Sequence, residues 1–432
     1  MSTPPPPHGP RASGHARSPI EKLPPTRGRA AYPRQPGRRS LAEVSKHTPI
    51  IAVCHLSWDW VWQRPQQFLS RLAATHPLLF VETHCTETPH AFVTLRGTSC
   101  PADITILEMH LPAVRWHDGH FIDLERRRLL RQVLARDLAG KFAEAILWMN
   151  DPMAVLSFAG QLGETMLVYD CMDELTQFIG APPMLVERER KLTEMADLIF
   201  CGGRKMRDKR LSINSNTHFY GTGVDCLHFG AAMQPDLAVH PDIASLQGPV
   251  LGYFGVIDER IDYELLARLA DADPGWSIAM VGPFAKVDPH TLPQRPNLHW
   301  LGGRPYADLP ALTKGMDVCL MPFALSPATE FINPTKALEY MAAGKPVVAT
   351  ALDEVKSNFA SASRIAADHG EFINHCRKQA ATPSATMVRR GLKLAAENTW
   401  EAIVTKMDRH ILDVFAAQQT PNARQATRRS HV

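Results

Sequence analysis

Residues Ser326 to Thr350 read SPATEFINPTKALEYMAAGKPVVAT, and they set a lysine, Lys336, and a carboxylate, Glu339, three residues apart at the head of a short helix. Asn333 is the expected cap of that helix. Pro334 suits its first position, where proline has no amide to waste. The amides that follow, at Thr335 and Lys336, are then free to face an anion, and the helix dipole favours negative charge there. Three-residue spacing puts Lys336 and Glu339 on one helical face. A cation with free amides suits a diphosphate, and a carboxylate suits a vicinal diol such as ribose, so together they describe half of a nucleotide-sugar pocket. The bland reading is a solvated surface pair, because Asn-Pro heads many helices. The surroundings favour the pocket. Gly344-Lys345-Pro346 stops the helix and Val347-Val348-Ala349 follows as a buried strand, while Asp317 to Pro322 supplies a strand before it. Strand, loop, anion-facing helix and strand make a βαβ unit, with the loop at the carboxyl end of the first strand, where ligands sit in such sheets.

A chain of 432 residues exceeds one ordinary core and fits two domains with tails. Charged residues at 21% and hydrophobic ones at 45% are ordinary for a soluble globular enzyme. No apolar run approaches the roughly 20 residues that span a bilayer. The N-terminus lacks the apolar core of a signal peptide, so the expected location is cytoplasmic. Eight cysteines are scattered without a CxxC pair or a Cys/His cluster at zinc-ligand spacing. Cys54, Cys171, Cys201 and Cys319 fall in or beside expected strands, as small buried side chains in a reducing compartment do.

Net charge is +3, distributed unevenly. Residues 1–48 carry nine Lys/Arg, two Asp/Glu and ten of the 35 prolines, leaving the remaining chain at −4. That segment is expected to be a disordered basic tail. It could attract an anionic membrane surface from the inner face, or be a solvated arm without a partner. Nucleic acid is not expected as a partner, since no basic, aromatic-rich module accompanies it.

Apolar runs alternate with helical stretches along the folded part. Strands are expected at Ile50 to Cys54, Leu78 to Val81, Ala145 to Trp148, Met166 to Tyr169 and Asp197 to Phe200, with helices from near Pro65 and over Met184 to Met195. The loose segment from Asp236 to Pro249 carries the domain junction. The pattern restarts at Val250 to Gly255 and continues through Ser277 to Val281, Leu298 to Leu301, Val318 to Met321 and Pro346 to Thr350. Repeated βα units imply α/β domains with parallel sheets covered on both faces. The divisions are a tail (1–48), a first domain (49–235), a second (246–397), a final amphipathic helix (398–417, centred on Trp400 to Ala416) and a polar tail (418–432).

Five stretches taken in order resemble a known family: His55-Leu-Ser-Trp-Asp-Trp-Val-Trp-Gln-Arg-Pro65, Val168-Tyr-Asp-Cys-Met-Asp-Glu174, Gly223-Val-Asp225, Gly252-Tyr-Phe-Gly255 and Pro334-Thr-Lys-Ala-Leu-Glu-Tyr340. From Ile50 to Ala416 the chain is similar to glycosyltransferases of the GT-B fold, in the retaining, family-4-like group associated with bacterial surface or exported polysaccharide. The resemblance implies two facing Rossmann-like, doubly wound domains, a first for the acceptor and a second for the nucleotide-sugar donor, with the last helix crossing back onto the first. It implies transfer from a nucleotide-diphosphate sugar to a glycan or lipid-linked acceptor, with that donor as co-substrate and no cofactor or essential metal. By position Glu339 matches the second glutamate of the family's E-x7-E motif, expected on the ribose. Lys336 falls beside the diphosphate, Gly255 lets backbone approach it, and Arg260 is a second candidate cation.

The chain departs from the family eight residues before Glu339, where Phe331 replaces glutamate and Glu330 lies one residue earlier. Either Glu330 reaches the sugar through a shifted loop or backbone from Phe331 to Asn333 does that work; the second is favoured, because Phe-Ile-Asn-Pro reads as a formed loop element. Asp170, Asp173 and Glu174 follow a strand. Their Asp-x-x-Asp spacing argues against a metal-binding Asp-x-Asp, which leaves Asp173 or Glu174 facing sugar or acceptor and Asp170 divided between the site and a structural pair. In the loop from His55 to Arg64, tryptophan faces at Trp58, Trp60 and Trp62 suit sugar rings or a core, Arg64 suits a phosphate, and His55 is a polar cleft candidate. Two rivals share the fold: a sugar-nucleotide epimerase, and a non-catalytic nucleotide-binding subunit of a polysaccharide complex.

Overall fold

The computed structural model describes residues 47–98, 103–178, 180–327 and 329–419, so the basic tail expected over 1–48 and the tail over 418–432 lie almost wholly outside the described residues. The first domain is built from β1 (Ile50–Val53), α1 (Arg64–Leu72), β2 (Leu78–Thr86), β3 (Phe92–Gly97), β4 (Ile104–Pro112), α2 (Gly119–Arg136), β5 (Ile146–Met149), β6 (Met166–Cys171), α3 (Leu185–Met195), β7 (Leu198–Cys201), α4 (Arg204–Leu211) and β8 (Thr217–Phe219). Its sheet runs β3-β4-β2-β1-β5-β6-β7-β8, parallel throughout except for β3, which is antiparallel to β4. β1 and β5 read IIAV and ILWM and are wholly buried, as strands covered on both faces must be. The strands β3, β4 and β8 have no counterpart among those expected from sequence. β3 is an edge strand with an exposed face, and its Phe92, Thr94 and Arg96 alternate with Val93 and Leu95 rather than forming an apolar run.

The second domain comprises β9 (Val250–Phe254), α5 (Tyr263–Ala272), β10 (Ser277–Val281), β11 (Leu298–Gly302), β12 (Val318–Met321), α6 (Lys336–Ala342), β13 (Val347–Thr350), α7 (Asp353–Phe359), β14 (Ser363–Ala366), α8 (His369–Ala381) and α9 (Ala385–Glu397). Its sheet, β11-β10-β9-β12-β13-β14, is all parallel. Strand order reverses between β9 and β12, which opens a crevice at their carboxyl ends.

The last helix, α10 (Trp400–Gln419), returns to the first domain. Trp400, Ile403, Val404, Met407, Ile411 and Phe415 join the core formed by Ile50, Ala52, Phe68 and Phe80. Trp400 meets Phe68 edge to face at 5.3 Å. The two interdomain crossings run side by side, with Val224 bridged to Thr399 and its amide donating to the carbonyl of Asn398. A Cβ at Gly223 would lie 2.7 Å from the Trp400 ring, so only glycine admits the helix this close. Segments at the carboxyl ends of both sheets meet across the cleft between the domains, where Asn333, after β12, donates to the carbonyl of Gly202, after β7.

Candidate active site

The cleft floor on the second domain is made by three loops. Gly255, just after β9, has φ +140°, and a Cβ there would collide with the Cε of Lys336. Gly282, after β10, lies so close that a Cβ would meet the carbonyl of Gly255. Lys336 thus lies packed beneath a backbone loop, with its Nζ 5.7 Å from the ring of Tyr253. Tyr340 fixes α6 to that loop, its hydroxyl accepting the amide of Phe254 at 3.1 Å.

Among the described residues, neither Lys336 nor Glu339 has an ion-pair or side-chain hydrogen-bond partner, although they are one helical turn apart. Burial lowers the proton affinity of Lys336, opposed by Glu339. Burial also pushes the Glu339 carboxyl up to about 7, opposed by Lys336. Two half-buried side chains of opposite charge type, neither with a hydrogen-bond partner among the described residues, thus lie side by side on one face of α6.

The helix start differs from expectation. α6 begins at Lys336, and Thr335 stands at its cap without a side-chain bond, so Asn333 and Pro334 precede the helix. Asn333 reaches across the cleft instead, its Nδ2 donating to the carbonyl of Gly202 at 3.0 Å. The amides of Thr335 and Lys336 have no acceptor among the described residues.

Arg260 grips Asp258 with two nitrogens, Nε at 2.9 Å and Nη2 at 2.6 Å, while Nη1 has no acceptor among the described residues. Burial works against its charge, but Asp258 and then Asp173 from the first domain hold its proton affinity above the ordinary arginine value. Asp173 is therefore near enough to act on the Arg260 charge from the other domain, without an ion pair between them. Sequence reasoning missed the aromatic beside them: Phe178 of the first domain lies 5.7 Å from the Arg260 guanidinium and 4.7 Å from Lys286 Nζ. It also missed Tyr306, which takes a hydrogen bond from Gln67 across the domains at 3.4 Å and stacks on His228 at 4.3 Å. A single aromatic in a loop carries no sequence signal of that kind.

Several first-domain candidates have other work. Trp58 is buried, edge to face with Phe80 at 5.1 Å and Trp62 at 5.7 Å, so it is core and not a sugar platform; Trp60 is the exposed one. Arg64 is not available to a phosphate. It binds Asp170 at 2.8 Å and the carbonyl of Tyr220 at 2.7 Å. Asp170 also accepts from Asn150 at 3.1 Å, which makes it the structural pair of the cleft wall. Glu174 turns inward to Arg210 at 2.9 Å and Lys209 at 2.5 Å, leaving Asp173 as the cleft-facing carboxylate of that run. Glu330 pairs on the surface with Lys205 at 2.8 Å and does not reach the floor. His55 is exposed after β1, with Nδ1 3.2 Å from the carbonyl of Asn150.

Breaking a buried charge pair leaves an uncompensated charge, and Arg64→Ala is expected to cost about 3–5 kcal/mol in chemical denaturation. A variant of normal stability but no activity would return Arg64 to the phosphate.

Among the described residues one group has metal-ligand spacing, Glu82, His84 and Glu108 on the first sheet. Arg96 sits against it, 2.6 Å from Glu108 and 3.8 Å from Glu82, so a guanidinium already occupies the cation's position. No described helix is long and apolar enough to cross a membrane.

Comparison with known proteins agrees with this fold. Residues 248–378 match the family described as Glycosyl transferases group 1. The putative teichuronic acid biosynthesis glycosyltransferase TuaH of Bacillus subtilis is 32% identical over 203 residues, 43% of this chain and 50% of that protein. The chain thus spans about half the length of the curated relative it matches. Sucrose-phosphate synthase from Thermosynechococcus elongatus superimposes with TM-score 0.64 at 15% identity, over 86% of this chain and 100% of that one. HepE from Anabaena, solved with UDP and glucose, gives TM-score 0.61 at 16% identity, over 86% of this chain and 100% of that one. At such identities the likeness shows the fold alone. Residues 248–378 thus match the group 1 glycosyl transferases, and the two sheets as a whole share the fold of the solved glycosyltransferase structures.

Proposed function

We propose that the protein transfers a sugar, with retention, from a nucleoside-diphosphate sugar to a glycan or lipid-linked acceptor in polysaccharide synthesis. The observation that carries this reading is the unpartnered pair Lys336 and Glu339 on the cleft floor, beneath the Gly255 loop. Lys336, Nη1 of Arg260 and the amides of Thr335 and Lys336 would hold the diphosphate, and Glu339 would accept the ribose hydroxyls. Asp173 would face the sugar or acceptor from the other domain.

In this reading the acceptor hydroxyl attacks the anomeric carbon from the face the diphosphate leaves. The bond from carbon to phosphate oxygen breaks with its electrons going to the diphosphate, which takes the hydroxyl proton. The protein supplies position and fixed positive charge where charge develops. TuaH is named for teichuronic acid synthesis and HepE was solved with UDP and glucose, which support a nucleotide-sugar donor and a polysaccharide product. Membrane attraction through residues 1–48 remains part of the proposal, resting on their charge.

A thermal-shift series with UDP, GDP, ADP and TDP, with and without magnesium, tests the pocket. One diphosphate is expected to stabilise the protein without magnesium, by about 2.7 kcal/mol at a hundred times its Kd. Stabilisation only with magnesium would overturn metal independence. No shift with any of them would favour a non-catalytic subunit.

A further inference from the structure

The segment leading into Lys336 is held by the opposite domain. Phe331 belongs to the second domain, yet its side chain packs against the first-domain core that contains Cys171, Cys201 and Met206. Its carbonyl lies against Gly203, where a Cβ would come within 3.0 Å of it. Two residues on, Asn333 donates to Gly202. Asn358 on α7 contacts Asn333 at 3.4 Å and Glu354 at 3.0 Å. Glu354, itself buried, accepts the amide of Arg204 that opens α4 and pairs with its guanidinium at 3.2 Å. The near end is fixed within its own domain, Thr329 accepting the amide of Ser326 at 3.0 Å.

We infer that Phe331 is a positioning residue: it anchors the segment Thr329–Thr335 in the acceptor domain, so that the chain leading into Lys336 is aligned by contact between the two domains. The inference deepens the proposed transfer reaction and rests on it for its catalytic consequence, but not for the anchoring. Three features separate it from an ordinary domain contact. The plug is apolar, it lies five residues from the unpartnered lysine, and its own backbone carbonyl lies against Gly203 just after β7, where any Cβ would crowd it. A displacement of about 1 Å at a reacting group costs on the order of a hundredfold in rate. An anchor at this point therefore acts on turnover more than on folding.

The test combines hydrogen exchange of peptides over 329–336 and 200–208 with steady-state kinetics on the full chain. Phe331→Ala is expected to raise exchange in both peptides and lower kcat at least about tenfold. Phe331→Leu, which keeps an apolar plug, is expected to restore both. Gly203→Ala pushes the anchor away from the other side and is expected to reproduce the defect with Phe331 intact, which covers the case where Phe331→Ala fails to fold. Lys205→Ala, removing the exposed pairs to Glu330 and Asp353, is expected to change neither. Unaltered exchange in Phe331→Ala and Gly203→Ala would overturn the anchor. Raised exchange with wild-type kcat would overturn its link to turnover. A wild-type protein that binds no nucleoside diphosphate would sink the proposed reaction, while the exchange data would still decide the anchor.

Discussion

Lys336→Ala is expected to lower kcat by about a hundredfold to a thousandfold, with the melting temperature changed by no more than a few degrees. The rate figure is that of removing one fixed donor aimed at developing negative charge. Stability is spared because Lys336 is a cost to the apo fold. Burial lowers its proton affinity, and the neighbouring Glu339 offsets that only in part. What alanine removes from the folded state is packing beneath Gly255, partly balanced by relief of a desolvated charge. Gly255→Ala tests the same contact from above, since its Cβ would occupy the path of the lysine side chain. It should therefore lose turnover as well, and some stability with it, because φ +140° is strained for any residue with a Cβ. The measurement is product formation at saturating donor beside a thermal melt. Wild-type turnover in Lys336→Ala would remove the lysine from the mechanism. A collapsed melt would show that it serves the fold.

The reach of the sequence was set by how local each determinant is. Strands such as Val318–Met321 and Val347–Thr350 are buried on both faces, so their apolar runs announce them without reference to anything else. β3 and β4 were not visible because one face of that pair is open. Thr94, Arg96, Glu108 and His110 interrupt the apolar pattern there, and the pairing is antiparallel. Lys336 and Glu339 were legible for a similar reason, since helix geometry alone puts them on one face. Arg64 was misread because its partner lies 106 residues away, and a free cation in a loop looks the same in sequence as a clamped one. The same holds for Asn333, whose acceptor is 131 residues distant on the other domain. Phe331 was noticed as a departure from the family motif, but its place in the opposite core depends on how two domains meet. What a cleft residue does is fixed by the far wall, and the sequence of one wall does not contain it.

The second large effect concerns Glu339, where stability and function pull in opposite directions. Its carboxyl is raised from an ordinary value of 4.5 to about 7 by burial, so the folded protein holds this proton more tightly than the unfolded chain does. Below about pH 4.5 both states are protonated and the residue is neutral for stability. As pH rises from there towards 7, the unfolded chain releases its proton first, and the folded state loses stability until both are ionised. Each tenfold difference in proton affinity corresponds to about 1.4 kcal/mol, which makes the full loss about 3 kcal/mol at most and less where water reaches the carboxylate. Glu339→Gln removes the titration while keeping the shape. It is expected to match the wild type near pH 4.5 and to melt several degrees higher at pH 8, at about 2–4 °C per kcal/mol for a domain of this size. The same change is expected to raise the donor KM about tenfold or more. In the proposed donor complex the carboxylate would accept two ribose hydroxyls where the amide oxygen would accept one, and charged acceptors bind more strongly. Wild-type donor KM should fall as pH rises through 7, because the ionised form is the one that binds, and this trend should vanish in the variant. Melts at the two pH values with a KM profile across them decide the matter. Equal melting at pH 8 would mean that Glu339 is hydrated in the free protein. An unchanged KM would take it off the ribose and leave the donor held by Lys336 and Arg260 alone.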